Sequence, residues 1–586
     1  MISSPRPSTP VRSPGVLIVL ALAPLWVIGI FGRGLWTPDE PREADIAWRM
    51  SLQSDRTLPQ LAGTPFLEKP PLSYWMSAGA LALFGDSAAA ARVPNLLYAL
   101  LTALAVCALA LSLQREAMPA VLAALVAASA VTAYRVSIWL APDACLLAGC
   151  ALALLGAWRG YRAPAGARKA AGYALMHLGA AIGFMAKSAP GWLVPALALL
   201  TLIAWERRWS ELRRWELYAG FAVQALIIGP WLLAVVHTAQ GAEALHTLFW
   251  HNLIGRFTRV AAPAALDYTS GHHNSPGKYF LELPLYLLPW TLIAGAALVR
   301  AGMRMREPGA AGTPWRFALA ASLPFLVLLS LAATARDIYA APALLGFGAL
   351  TGLWAHEAQH SPTRLDRFAL SFTWALVGAL ACALAGALAI LAAAGAAPVS
   401  ACAAAALGVI ASAAAALVCA VRAQRRGDLQ RSLTWTYAGY AAALCLSALA
   451  ALPVIDRWQD LPGLARRIHA HSAHHSLALL DPDETTIAML DHGLDTPFAR
   501  LTSGAGRPQQ LVAGWFSAHG SEARVLVLLP GHAPGELTRW LGRFHALRAD
   551  GDGVAGELVS SGAATLVGRY ELPQGRRYAL LAPAAP

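Results

Sequence analysis

The residues of this chain best suited to chemistry lie in its first polar segment. Two short motifs there combine carboxylates with cationic side chains, namely Asp39, Glu40, Arg42, Glu68 and Lys69. A carboxylate such as that of Asp39 or its neighbour Glu40 can deprotonate or orient an attacking hydroxyl or amine. A cation such as Lys69 can neutralise the charge that develops on a leaving phosphate. The pattern therefore predicts a catalytic site that combines a base with an anion-stabilising group.

The composition places this charged segment in a membrane protein. Of the 586 residues, 57% are apolar and 13% are charged, whereas soluble proteins carry about 25% charged residues. The mean hydropathy is +0.50, and apolar runs long enough to cross a bilayer recur along the chain. The formal charge of +12 lies mostly in short loops between these runs. That placement indicates membrane topology and contact with membrane lipids, not a nucleic-acid partner.

Hydropathy predicts thirteen membrane spans. Arginine clusters follow the even-numbered spans from the fourth to the twelfth, so these loops are predicted to be cytoplasmic and the loops after odd-numbered spans to lie outside. The predicted spans are 15–31, 93–113, 118–133, 142–158, 171–186, 192–205, 217–236, 282–299, 317–333, 340–355, 369–393, 399–421 and 433–453.

Two domains follow from this topology. Residues 1–454 form a transmembrane core with two long outer loops, 32–91 and 237–280, and the first loop is expected to hold one or two short helices, such as 45–52. Residues 455–586 form a small soluble α/β domain on the outer side. Within it, the apolar run 524–529 predicts a strand, and the amphipathic segment 535–547 predicts a helix.

Charged residues converge on the outer side of the predicted membrane. Such groups at a bilayer edge are candidates for function because their burial is unfavourable. Four cations could stabilise a lipid phosphate as it leaves: Lys69, Lys187, Arg256 and Arg336. A sugar carried on a lipid phosphate would suit this pattern, since the bilayer itself would present the substrate. The outer loops contain Asp39, Glu68, Lys69, Asp143, Lys187, His251, Arg256, Lys278 and Arg336.

Purely structural interpretations exist for the same residues. Asp39 precedes a proline-containing helical turn and could act as a helix cap. Glu68 and Lys69, like Arg336 and Asp337, could form local ion pairs. Lys187 could extend from a span end towards water, and Tyr339 or Trp75 could anchor the chain at the membrane interface.

A metal site is a further open alternative. His246 and His251 lie in the second long loop, and either could bind a divalent metal together with Glu68. Histidines in such loops are also ordinary surface residues, so both interpretations stay open at this point. No cofactor follows with certainty from the sequence; Zn²⁺ or Mg²⁺ would be the candidate.

With these motifs in view, the chain resembles the bacterial lipid A 4-amino-4-deoxy-L-arabinose transferases. These belong to the membrane glycosyltransferases of the GT-C class and are related to the dolichyl-phosphate-mannose protein mannosyltransferases. The family motif Glu-Lys-Pro-Pro-Leu-x-Tyr-Trp is matched at every fixed position by Glu68-Lys69-Pro70-Pro71-Leu72-Ser73-Tyr74-Trp75. The first motif, Asp39 to Met50, matches the family's Asp-Glu-Gly-Arg-Tyr-Ala-Glu-Ile-Ala-Arg-Glu-Met less completely. Weaker matches are Ala141-Pro142-Asp143, Ala186-Lys187 and the run from Arg336 to Pro342.

The resemblance implies a GT-C fold and specific roles for matched residues. Asp39 would be the catalytic carboxylate, with Glu40 beside it, and Glu68 matches a metal-contacting position with a histidine of 246–273, such as His251, as partner. The residues expected to bind the donor phosphate and sugar are Arg42, Lys69, Asp143, Lys187, Arg256, Arg336 and Tyr339.

The activity implied is an inverting transfer of a sugar from an undecaprenyl or other polyprenyl phosphate. The acceptor would be lipid A-like or another envelope lipid or glycan, at the periplasmic face of the bacterial inner membrane, and the protein is expected to be a monomer. Substrate choice stays open because the family's tyrosine is Glu43, its Arg-Glu pair is Trp48-Arg49, and a glycine is Ser188. The alternatives are a lipid-linked sugar flippase, a protein O-glycosyltransferase of the same class, and a sensor or assembly scaffold.

Overall fold

The structure is a computed structural model, and it describes residues 13–254, 274–332, 334, 336–492, 494, 496–503, 507–530 and 552–584. Helices dominate it. Up to the second long loop they are α1 (Pro14–Ile30), α2 (Glu40–Leu52), α3 (Leu72–Phe84), α4 (Ala88–Gln114), α5 (Ala117–Ser129), α6 (Val131–Ile138), α7 (Asp143–Arg162), α8 (Ala167–Lys187), α9 (Pro190–Trp205), α10 (Trp215–Ala219), α11 (Phe221–Val236) and α12 (Gly241–His246). After it come α13 (Lys278–Tyr286), α14 (Thr291–Arg304), α15 (Thr313–Ala320), α16 (Leu323–Leu331), α17 (Ala341–His360), α18 (Arg364–Ala393), α19 (Val399–Arg425) and α20 (Leu429–Trp458).

The helices confirm a polytopic membrane protein. Within the described residues, 8 helices are long and apolar enough to cross a membrane, or up to 10 if each of two bent helix pairs is one span. The bent pairs are α5 with α6, at 70°, and α13 with α14, at 119°. Each predicted span overlaps one of the helices, but several of these helices are short or bent. The number thirteen therefore stays a prediction.

Two short helices, α2 and α3, occupy the first outer loop. Helix α2 begins at Glu40, earlier than the predicted 45–52, because Pro41 suits a first helical turn. Glu40 and Glu43 also place negative charge at the positive end of the helix dipole. Most of α2 is buried, since it packs against α3 on one side and against the carboxy-terminal domain on another.

The antiparallel pair α7 and α8 packs unusually closely. A Cβ atom on Gly156 would lie 2.2 Å from the backbone nitrogen of Met176, and one on Gly179 would lie 2.4 Å from that of Ala153. Only glycine permits such an approach of two helix backbones. Because α7 begins at Asp143 and α8 ends at Lys187, this packing places the two charged residues side by side.

The carboxy-terminal domain contains the predicted mixed structure. Its helices are α21 (Leu461–Ala470), α22 (Glu484–Asp491), α23 (Pro508–His519) and α24 (Gly553–Ser560). The first outer loop contributes a small hairpin of β1 (Gln60–Leu61) and β2 (Thr64–Pro65). The domain's strands are β3 (Ser476–Leu480), β4 (Ala499–Leu501), β5 (Ala523–Leu528), β6 (Ala564–Glu571) and β7 (Arg577–Pro583).

These five strands form one mixed sheet in the order β4-β3-β5-β7-β6. Strand β3 is parallel to β4 and β5, whereas β7 is antiparallel to β5 and β6. Strand β5 confirms the strand predicted at 524–529, and the helix predicted at 535–547 lies outside the described residues. One face of the sheet shares a hydrophobic core with the first outer loop, including Ile46, Met50 and Phe66.

Candidate active site

Asp39 lies at the amino-terminal end of α2 but does not cap it. The residue occupies the cap position, yet its side chain makes no capping hydrogen bond, so the cap interpretation is wrong for the carboxylate. Instead Oδ2 accepts a hydrogen bond from Nη2 of Arg336 at 2.7 Å, and Oδ1 lies 3.4 Å from Nη2 of Arg42. Burial alone would raise the pKa of Asp39, but the charges of Arg42 and Arg336 outweigh it and lower the pKa to about 2.

Glu43 links the two charged motifs. Because Asp39, Arg42 and Glu43 are three and four residues apart on α2, they share one helix face. Oε1 of Glu43 lies 2.9 Å from Nζ of Lys69 and 2.5 Å from Nη2 of Arg42. Lys69 therefore pairs with Glu43 and not with its neighbour Glu68. Burial opposes ionisation of Glu43, but the charges of Lys69 and Arg42 lower its pKa below the ordinary range.

Lys187 and Asp143 form a second ion pair close by. Nζ of Lys187 lies 2.6 Å from Oδ1 of Asp143 and 4.7 Å from the ring centre of Tyr339. The lysine is thus held by a carboxylate and by the face of an aromatic ring, which attracts cations. The local pair predicted between Arg336 and Asp337 does not form, because Asp337 pairs with Arg135 and Arg336 with Asp39.

A cavity of about 100 Å³ is lined by both Lys69 and Lys187. Its polar end is formed by Lys69, Lys187 and Tyr339 together with Glu68 and Asp143. Its wall is apolar and consists mainly of Leu146, Leu193, Phe325, Leu328, Leu329, Ile338 and Pro342. An amphipathic molecule with an anionic head and a hydrocarbon tail matches both parts, since the lysines attract the head and the leucines pack against the tail.

Glu40 has an environment unlike that of Asp39. Its side chain is fully buried and accepts six hydrogen bonds. Four come from the guanidinium groups of Arg33 and Arg92, at 2.6 to 2.9 Å, and two from the backbone N–H groups of Trp36 and Leu140, both at 2.9 Å. Every acceptor position of the carboxylate is occupied, so the structure favours an anchoring role for Glu40 over the predicted catalytic one.

Some predicted residues cannot be placed. Arg256 and the side chain of His251 lie outside the described residues. Glu68 lines the cavity, but within the described part of the chain it belongs to no group of three side chains arranged to hold a metal. The predicted metal therefore stays a prediction.

The structure also adds residues that the motifs did not identify as partners. Arg42 forms an ion pair with Glu484, in the first turn of α22, and Oγ1 of Thr485 donates a hydrogen bond to the carbonyl of Pro38 at 3.0 Å. Arg33 and Arg92 hold Glu40. Glu484 is separated from Arg42 by 442 positions, and no local sequence signal connects them.

Comparisons with known proteins agree with this architecture. Residues 68–233 match the family model described as dolichyl-phosphate-mannose-protein mannosyltransferase. The crystal structure of ArnT from Cupriavidus metallidurans bound to undecaprenyl phosphate superimposes with a TM-score of 0.66 at 19% identity, covering 96% of this chain and 97% of that one. The same protein in the apo state gives a TM-score of 0.67. Together these features define a polytopic membrane protein with the fold of the ArnT structures.

Two proteins of similar sequence carry the same name. An undecaprenyl phosphate-alpha-4-amino-4-deoxy-L-arabinose arabinosyl transferase of Pseudomonas aeruginosa (strain UCBPP-PA14) is 32% identical over 342 residues, which are 57% of this chain and 58% of the relative. The protein of that name from Edwardsiella ictaluri is 32% identical over 284 residues, or 48% and 49%. The alignments thus reach little more than half of the length of these relatives. They confirm the resemblance to the aminoarabinose transferases that the motifs predicted.

Proposed function

We propose that the protein transfers a sugar, with inversion, from a polyprenyl phosphate to an acceptor of the bacterial envelope. The observation that carries this proposal is the cavity with two lysines at its polar end and an apolar wall, a combination that suits a lipid phosphate. The names of the similar proteins support undecaprenyl phosphate as the lipid carrier. A lipid A-like acceptor is what the motif resemblance implies, and the altered residue Glu43 leaves room for another lipid or glycan.

The reaction needs one bond made and one broken. An acceptor hydroxyl or amine attacks the anomeric carbon of the sugar, and the bond from that carbon to the phosphate oxygen breaks. The electron pair leaves with the polyprenyl phosphate, whose negative charge Lys69 and Lys187 stabilise. The acceptor's proton passes to the carboxylate of Asp39.

Donor binding would change the ion pairs of the site and thereby make the carboxylate of Asp39 a stronger base. A carboxyl group with a pKa of about 2 is a weak base at neutral pH. If the donor phosphate draws Arg336 away from Asp39, the carboxylate loses one of its two arginine partners and its pKa rises. Lys69 and Lys187 would likewise exchange Glu43 and Asp143 for the phosphate.

The predicted location is the inner membrane, with the site on the periplasmic face. The arginine clusters at the opposite ends of the spans support this orientation through the positive-inside rule. The carboxy-terminal domain would lie on the same face as the site, since α22 contacts α2. Nothing in the described residues requires a second copy of the chain, and we propose that the protein acts as a monomer.

The test is turnover of purified protein with undecaprenyl-phosphate-linked sugar and lipid A. Asp39→Asn removes the base while keeping nearly the same shape, and we expect the rate to fall by about 10² to 10⁴. The matched control is Asp55→Asn, which changes an exposed carboxylate of the same loop and should leave the rate unchanged. A folded Asp39→Asn variant with wild-type turnover would refute the assignment of the base.

A further inference from the structure

A cluster of histidine and glutamate lies at the end of α17 that is farthest from the candidate active site. Tyr339 precedes the first turn of α17, whereas His356 and His360 lie in its last turns. A helix of 20 residues is about 30 Å long, the thickness of the hydrocarbon core of a bilayer. The cluster thus lies near the opposite membrane face, and the proposed transfer makes no use of it.

The sequence of the cluster has the spacing of a metal-binding helix. His356-Glu357-Ala358-Gln359-His360 matches the pattern H-E-x-x-H, in which two histidines four residues apart share a helix face and bind zinc. A third ligand would come from Glu116, which lies in the turn between α4 and α5. Glu116 occupies the cap position of α5 but makes no capping hydrogen bond, so its carboxylate is available to the cluster.

The three side chains are arranged around a common point. Oε2 of Glu116 lies 3.1 Å from Nδ1 of His356, and Oε1 lies 3.2 Å from Nε2 of His360. One ligand atom from each residue can be chosen so that all lie within 4.8 Å of one another. Ligands of a tetrahedral zinc ion at 2.0 to 2.1 Å are about 3.3 Å apart. The two distances from Glu116 are close to this value, one through each oxygen of its carboxylate.

One nitrogen of the cluster has no hydrogen-bond partner among the described residues. Nδ1 of His356 is buried and makes no hydrogen bond despite its short distance to Glu116. Nε2 of His360, by contrast, forms a hydrogen bond with Oε1 of Glu116 at 3.2 Å. A buried polar atom without a hydrogen-bond partner requires an explanation, and a bound cation would supply one.

Hydrogen bonds hold the backbone on both sides of the cluster. The side chain of Gln114 bonds both the N–H and the carbonyl of Glu116, at 2.6 and 2.9 Å. Gln359 accepts a hydrogen bond from the backbone of Gln430 at 3.1 Å, which fixes the end of α17. That end carries the negative pole of the helix dipole, which favours a cation. The backbone that carries the three side chains is therefore held in place, while Glu116 and His360 stay exposed enough for an ion to reach them.

We propose that Glu116, His356 and His360 form a zinc site that ties the turn between α4 and α5 to the end of α17. Two imidazoles and a carboxylate suit Zn²⁺, whereas Mg²⁺ prefers oxygen ligands alone. The site is not that of a peptidase. In zinc peptidases the glutamate of H-E-x-x-H acts as a base, but here Glu357 is paired with Arg300 and Arg304, at 3.2 and 2.9 Å.

The test is the zinc content of full-length protein purified in detergent, with any affinity tag removed. After equilibration with ZnCl₂ and removal of free ion, wild-type protein should retain one more equivalent of zinc than His356→Ala/His360→Ala. The control His471→Ala/His474→Ala also removes two exposed histidines, and it should retain the wild-type content. Equal zinc contents in the two double variants would overturn the proposal.

A second variant keeps the test independent of the histidines. Glu116→Gln preserves the shape of the side chain and its backbone contacts, and we expect zinc affinity to fall at least about tenfold. Titration with Co²⁺, which reports coordination by its visible absorption, measures this change directly. Excess Mg²⁺ should not displace the bound ion. Unchanged Co²⁺ affinity in Glu116→Gln would remove Glu116 from the site.

Discussion

The ion pair between Asp39 and Arg336 governs how the proposed base responds to pH. The carboxylate must be ionised to accept a proton, so activity requires a pH above its pKa. Because Arg336 lowers that pKa, Arg336→Gln should raise it by about 1 to 3 units, the usual effect of a neighbouring guanidinium. The acid limb of the profile of kcat/KM against pH should therefore move to higher pH. An unchanged acid limb with a reduced rate would mean that Arg336 serves the donor alone.

For Glu40, the neighbour of Asp39, we expect a substitution to affect stability more than catalysis. Its carboxylate is fully buried between Arg33 and Arg92, and removing one partner of such a buried pair lowers the free energy of unfolding by about 3 to 5 kcal/mol. Glu40→Gln should therefore lower thermal stability in detergent far more than Asp337→Asn, which changes an exposed ion pair worth less than about 1 kcal/mol. Wild-type stability combined with lost turnover would instead restore the predicted catalytic role of Glu40.

At the scale of single residues, the sequence identified the charged residues that meet in this region but not which of them pair with each other. Glu68 and Lys69 are adjacent, as are Arg336 and Asp337, yet both cations pair with residues of α2. Adjacent side chains point in different directions along a chain, so adjacency is a poor guide to pairing. The motif around Lys69 nevertheless identified residues that line the cavity, since both Glu68 and Lys69 do so.

Helix α2 is the element that connects the site to the carboxy-terminal domain. At its amino-terminal end, Asp39 and Glu43 pair with Arg336 and Lys69. Arg42 pairs with Glu484 of α22. Arg49 forms an ion pair with Asp491, and the ring of Trp48 packs against His492 with ring centres 5.3 Å apart. Two of the positions that differ from the family motif, Trp48 and Arg49, therefore contact the domain. Their departure from the motif reflects this interface, whereas Glu43 is the departure that belongs to the site.

The interface between α2 and α22 predicts a pH-dependent stability. Burial and the nearby carboxyl of Asp491 raise the pKa of Asp45 from its ordinary value to about 9. The native state thus retains a proton that the unfolded chain releases above about pH 4. This contribution to stability is complete at low pH and is lost as pH rises towards 9. Asp45→Asn, which mimics the protonated form, should flatten the decline of thermal stability between pH 6 and 9. A decline of wild-type steepness in Asp45→Asn would exclude Asp45 as its source.

On the scale of the whole molecule, the first outer loop and the carboxy-terminal domain share one hydrophobic core. Ile46, Met50 and Phe66 from the loop belong to the same buried cluster as Leu464 and Leu580 from the domain. The sequence predicted both the membrane core and a small α/β domain, because hydropathy and strand patterns are local signals. It could not predict that they pack together, since this contact joins residues hundreds of positions apart and leaves no periodic pattern.

The two faces of strand β7 pack into different hydrophobic cores, and we expect only one of these cores to affect activity. Leu580 and Leu581 are consecutive in β7 and both fully buried, but they point to opposite sides of the sheet. Leu580 belongs to the core shared with the loop, and Leu581 to the core on the other face, which lies within the domain. Replacing either by alanine should lower the free energy of unfolding of the domain by about 2 to 5 kcal/mol.

Activity should separate the two variants even though their stabilities are similar. A cavity under the loop lets α2 shift, and small displacements of a catalytic group lower turnover strongly, by about 10²-fold for 1 Å. Leu580→Ala should therefore lose turnover below its unfolding temperature, whereas Leu581→Ala should keep it. The measurement is kcat at a temperature where near-complete folding of both variants has been verified. Equal losses of turnover in the two variants would mean that it does not matter which face of the sheet is weakened. The domain would then support the site only by remaining folded.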